Sequence, residues 1–125
     1  MLIRILLAAT LLFSSAGLAR ADFQSGMTAF RAGDYAVAAQ EWEPLAASGN
    51  LAALNNLALL YSRGLGVDKD RARAIELYGQ AADGGYAIAQ FNLAMLYMRS
   101  GPQDSATDLF RQAAELGHAR AQYHL

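Results

Sequence analysis

Apolar residues recur three and four positions apart along most of the chain, the spacing of helices that bury one face. No stretch of alternating apolar and polar residues marks a strand. The pattern also repeats, and recurrence at roughly 20 to 50 residues is the mark of stacked structural units. Residues 49–61 line up with 85–97, and a third copy starts at Gly117, at offsets of 36 and 32 residues. A second segment recurs between these copies: 74–83 matches 106–115, and 38–47 is a looser member. Each unit therefore holds two helices, A and then B. In the middle unit the pattern predicts helix A over Leu51–Arg63 and helix B over Arg71–Asp83. The units span about 23–48, 49–84 and 85–116, with a partial unit at 117–125; helix A of the first unit is short.

The residues between the segments agree with this division. Asp34 and Asp70 stand ahead of the first two B helices, placed to accept free backbone amides as N-caps. Pro102 suits the first position of the third B helix, with Asp104 in its first turn, where the helix dipole favours negative charge. Gly49, Gly85 and Gly117 follow the B helices, where a left-handed residue ends a helix cheaply.

Aligned units give columns, and each column has a packing meaning. Ala53, Ala89 and Ala121 repeat, as do Leu57, Leu93 and Leu125. Gly26, Ala58 and Ala94 form a column of small residues that lets helix B approach helix A. Trp42, Tyr78 and Phe110 form an aromatic column on helix B, with Tyr61 and Tyr97 on helix A. One hairpin cannot bury its own apolar face, so these stripes are expected in the core between stacked neighbours.

The start of the chain has a different pattern. A short basic opening with Arg4 leads into an apolar run, and Ala19-Arg20-Ala21 forms a small-residue cleavage motif. A helix between Arg4 and Arg20 would span roughly 22 Å, short of the roughly 30 Å hydrocarbon core. Residues 1–21 therefore read as a signal peptide rather than a membrane anchor, cleaved after Ala21 and leaving a domain of 22–125. That reading places the domain in the periplasm or outside the cell, without a stable membrane anchor. From Asp22 onward 8 basic residues face 11 acidic ones, so no basic face points to nucleic acid. The chain has no cysteine, which excludes disulfides, thiolate metal sites and a lipidated N-terminal cysteine.

The middle unit resembles the Sel-one-like repeat, a relative of the tetratricopeptide repeat. The resemblance is carried by Ala53, Leu57, Ala58, Tyr61, Gly64, Gly66, Val67, Asp70, Ala74, Tyr78, Ala81, Ala82 and Gly85. Ala58 departs from the family's usual glycine. The third unit lacks four residues of its A–B loop and with them the Gly-x-Gly-Val element. The opening 30–39 is closer to a plain tetratricopeptide hairpin. The resemblance implies an all-α fold, a right-handed α-solenoid that mediates protein–protein contacts and needs no cofactor. It also implies that the A helices line the concave side, with the Asn column where some tetratricopeptide domains grip a peptide.

Candidate chemistry is sparse. His118 and His124, six apart, cannot share a helical face as a metal pair and read as exposed residues near the chain end. Asp68 and Asp70 echo a calcium loop, but the closing ligands are missing. Gly64 and Gly66 sit between two helices, whereas a phosphate-cradling loop would follow a strand. Asp104 and Asp108 read as a solvated pair rather than an acid and base. The chain is thus expected to be no enzyme and to bind no metal.

Surface recognition remains. Asn56, Asn92 and His124 stand two positions before the small-residue column, with Asn55, Phe91 and Tyr123 beside them. A turn further on come Leu59 with Arg63 and Met95 with Arg99. The concave face is therefore expected to bind a peptide or protein through Asn55, Asn56, Arg63, Phe91, Asn92, Met95, Arg99, Tyr123 and His124, with the arginines alternatively capping helix carbonyls. The function expected is an envelope adaptor. The alternative is a regulatory subunit or inhibitor of an envelope sensor or polysaccharide export complex, and a cell-wall enzyme ranks behind both. The apolar last residues predict self-association or a frayed terminus.

Overall fold

A computed structural model describes residues 21–118 and 121. The expected leader lies outside these residues except for Ala21, as do Tyr123 and His124. Among the described residues six helices follow one another without a strand: α1 (Phe23–Arg31), α2 (Tyr35–Ala47), α3 (Leu51–Arg63), α4 (Arg71–Asp83), α5 (Ala87–Ser100) and α6 (Gln103–Glu115). Helices α3 and α4 have the bounds that the apolar spacing predicts. Each helix packs mainly on its neighbours in sequence, α1 on α2 through α5 on α6, which makes an array of A–B hairpins. This is an α-solenoid.

One turn design recurs four times. After α1, α2, α4 and α6 a glycine takes the left-handed conformation: Gly33, Gly49, Gly85 and Gly117, with φ between 82° and 87°. After α2 the Asn50 amide donates to the Leu45 carbonyl at 3.0 Å and the Gly49 amide to the Ala46 carbonyl at 2.9 Å. This is a Schellman closure, which satisfies carbonyls that the helix end would otherwise orphan. The residue after each glycine then becomes the N-cap of the next helix. Asn50 accepts from the Ala53 amide at 2.9 Å. His118 takes the same place in the last copy, where its Nδ1 accepts from the Ala121 amide at 3.3 Å and its ring stacks on Phe91 at 4.8 Å. It is half-buried, because a capping side chain lies against its helix rather than in solvent. The expectation of an exposed residue is thereby corrected.

Two other caps also differ from expectation. Asp70 accepts from the Arg73 amide at 3.0 Å, whereas Asp34, at the same position, makes no side-chain cap bond. Its backbone, at ψ 64°, departs from the extended conformation of Asp70. Pro102 is the N-cap of α6 rather than its first helical residue.

The A–B loops differ by unit. Helix α3 ends on left-handed Gly64 (φ 67°), and Gly66 (φ 69°) lets the loop lie on the preceding hairpin. A Cβ at Gly66 would overlap the Tyr35–Ala36 backbone. The shorter loop after α5 has no such pair, and its Gly101 is extended. Arg71 of α4 compensates by reaching across to the Ser100 and Leu96 carbonyls, at 3.1 and 3.4 Å, in the last turn of α5.

The core consists of the expected columns. Ala53, Ala58, Ala74, Ala89, Ala94, Leu57 and Leu93 are buried, as are Trp42, Tyr78 and Phe110. Gly26 has a specific partner: a Cβ there would overlap the Trp42 indole. Phe23 and Phe30 flank that indole at 6.0 and 5.9 Å, and its N–H donates to the Phe23 carbonyl at 3.3 Å. Tyr61 and Tyr97 are only half-buried. Tyr61 donates to Glu43 at 2.8 Å and so ties α3 back to α2.

Candidate functional site

Two clefts open between successive A helices. One, of about 90 Å³, is lined by Leu59, Ser62 and Arg63 of α3, Tyr78 of α4, and Asn92, Met95, Leu96 and Arg99 of α5. It gathers four of the expected site residues, Arg63, Asn92, Met95 and Arg99. Arg63 and Arg99 are exposed in the last turns of their helices. Among the described residues neither is ion-paired, and neither donates to a helix carbonyl. The capping role considered for them is therefore not what the structure shows.

Tyr78 supplies the wall of this cleft. Burial pushes its phenol above the usual value, while the Ser62 hydroxyl and the Arg63 guanidinium beside it pull the other way. Sequence reasoning assigned Tyr78 to the core alone. It has both roles, a buried ring and a surface in the cleft.

The asparagines do not stand as a row of free donors. Asn92 Nδ2 donates to Asn55 Oδ1 at 3.0 Å, Asn55 Nδ2 to Asn56 Oδ1 at 3.3 Å, and Asn56 Nδ2 to Met27 Sδ at 3.5 Å. The relay crosses α5, α3 and α1. Asn55 is only 5 % exposed, since the relay spends its amide inside the array. Phe91 is buried too, against Phe110 at 5.7 Å and His118. Both were expected on the open face, and both belong to the interior. Each lies one position from the half-buried row of Asn56 and Asn92, and one residue turns a side chain through about 100° on a helix.

The smaller cleft, about 60 Å³, lies one repeat earlier in the chain and is lined by Met27, Phe30, Trp42, Asn56 and Leu59. Of these, Asn56 was expected at the site and Leu59 beside it on the same face. The missing signal was register. Met27, Leu59 and Met95 occupy one column, adjacent to the small-residue column already aligned.

The other polar cluster lies around Tyr61. Its phenol is raised first by the hydrogen bond to Glu43, then by burial, with Arg73 opposing. Arg73 pairs with Glu76 at 3.0 Å on the surface, a contact of small energetic weight. Among the described residues no group of three His, Asp or Glu side chains could hold a metal ion.

The model of the Sel1 repeat matches residues 51–86 and 87–118, just over half of the chain. The chain belongs to the Sel1 repeat family. It is similar to a Sel1 repeat protein from Oxalobacter formigenes, with 34% identity and a TM-score of 0.76 over 86% of this chain and 44% of that one. It is also similar to c5321, a protective antigen of uropathogenic Escherichia coli strains with an SLR fold. There the identity is 33% and the TM-score 0.68, over 72% of this chain and 20% of the antigen. The chain thus spans less than half of either solved relative. Among curated proteins none matches it. Sel1 repeat proteins mediate protein–protein contacts and are typically non-catalytic.

Proposed function

We propose that this Sel1 repeat chain is an exported adaptor, periplasmic or secreted, that holds a peptide segment of another protein against its A-helix face. The observation that carries the reading is the larger cleft. Two arginines from consecutive A helices, without ion pairs among the described residues, flank a pocket that Leu59, Met95 and Leu96 line together with Ser62, Tyr78 and Asn92. Apolar side chains interspersed with a few placed polar groups are what a recognition site needs. The export half of the reading rests on the leader pattern.

A photo-crosslinking residue at Met95, compared in intact cells with one at Val37 on α2, tests the face. A partner captured only from Met95 supports the reading. Equal capture from both, or none from Met95, refutes it. Mass measurement tests export: a chain beginning at Asp22 supports it, and an intact Met1 refutes it.

A further inference from the structure

The two clefts are the same cleft one repeat apart. Met27, Phe30, Trp42, Asn56 and Leu59 of the first occupy the repeat positions of Leu59, Ser62, Tyr78, Asn92 and Met95 in the second. Leu59 lines both, so the clefts are contiguous. Their chemistry differs at two of the five positions. Phe30 becomes Ser62 and Trp42 becomes Tyr78, which removes one aromatic ring and brings in two hydroxyls. Only the second cleft also includes the arginine column, through Arg63 and Arg99.

We propose that these are successive subsites for one extended peptide segment of a partner protein, the first taking an apolar side chain and the second a side-chain carboxylate about three residues away. This rests on the adaptor reading above and names what the adaptor recognises. The spacing follows from geometry. Side chains of successive A helices reach one another, so these helices lie about one helix diameter, about 10 Å, apart; extended chain advances about 3.3 Å per residue, so one helix row corresponds to about three residues. The sign of the second side chain follows from charge. Two guanidinium groups without ion pairs face this cleft in a domain that otherwise carries more acidic than basic residues. Arginine forks match a carboxylate in two parallel hydrogen bonds, and Asn92 and the Tyr78 hydroxyl can donate to the same oxygens. The first side chain follows from Met27, Phe30 and Trp42, which offer surface and only the Asn56 amide as a polar partner. Methionine suits that surface because its unbranched thioether adapts to different apolar shapes.

The test is an NMR titration of the isotopically labelled protein with short peptides blocked at both ends, so that the side chain supplies the only carboxylate. The core Leu-Ala-Ala-Asp and its reverse, Asp-Ala-Ala-Leu, cover both chain directions. Controls replace Asp by Asn, replace Leu by Ala, or place Leu and Asp next to each other. One of the two directions is expected to shift resonances of Met27, Leu59, Asn92 and Arg99. Each control should weaken binding about tenfold or more, about 1.4 kcal/mol. The pair Arg63→Gln and Arg99→Gln, both exposed and without ion pairs among the described residues, should abolish the preference for Asp over Asn and keep that for Leu over Ala. Equal binding of Asp and Asn peptides, or a preference that survives both arginine changes, overturns the proposal. Shifts on this face without any dependence on peptide composition overturn the two-subsite proposal alone. If no peptide shifts any residue of the A-helix face, the adaptor reading falls with it.

Discussion

Gly26→Ala sets local preference against packing, and the two predict opposite signs. Gly26 lies inside α1 with an ordinary helical backbone, so alanine should stabilise the helix by about 1 kcal/mol through propensity alone. The neighbouring helix reverses this. The added methyl falls on the Trp42 indole, which is only 1 % exposed and held on both sides by Phe23 and Phe30. A clamped ring cannot turn aside as a flexible chain end would. Overpacking of a filled core costs about 1–3 kcal/mol, and moving the indole also strains or breaks its bond to the Phe23 carbonyl, worth about 1 kcal/mol. Offsetting the propensity gain, the net expectation is a loss of about 2 kcal/mol. Trp42 is the only tryptophan of the chain, so its emission reports this site directly. Denaturant unfolding followed by fluorescence should show a lower midpoint, and the native emission should shift to the red. Gly33→Ala serves as the control. There φ is +82° and the space is open, so only backbone strain of about 1–2 kcal/mol is expected, with emission unchanged. A Gly26→Ala protein more stable than the parent, with unaltered emission, would refute the packing argument.

Gly66→Ala should cost more than Gly33→Ala, because its Cβ meets backbone rather than open space; calorimetric melting of the two variants checks the order. Arg71→Met should lower stability by about 1 kcal/mol, the usual net worth of a hydrogen bond, with amide exchange quickened at the end of α5. The loss stays small because the change also removes the buried Arg71 Nε, which has no partner among the described residues. Tyr78, whose phenol is raised by burial, favours the folded state while neutral. Its contribution is full below the ordinary tyrosine value near pH 10 and is lost as pH rises through the higher folded value; ultraviolet titration should show Tyr78→Phe removing one late-ionising tyrosine.

The sequence alone determined the repeat, the order of the helices and most of the buried columns. Bounds were readable for α4 because apolar spacing, the Asp70 N-cap and the glycine at 85 agreed there, and for α3 from the apolar spacing that recurs one unit later. Recurrence also predicted that Trp42, Tyr78 and Phe110 share one burial environment, since equivalent positions in a stack meet equivalent neighbours. What the pattern could not decide was how each polar side chain divides its hydrogen bonds. Asn55 and Asn92 differ by one step in register, yet one is buried in a relay while the other borders a cleft. That outcome depends on which partner a neighbouring helix brings within about 3 Å. The same holds for Arg71, whose role depends on a helix end supplied by the next unit, and for His118, which caps rather than dangles. The pairing of an apolar cleft with a cationic one likewise needed three A helices laid side by side. Periodicity is local and survives in the sequence; partnership across helices is a matter of distance, and only the packed array sets it.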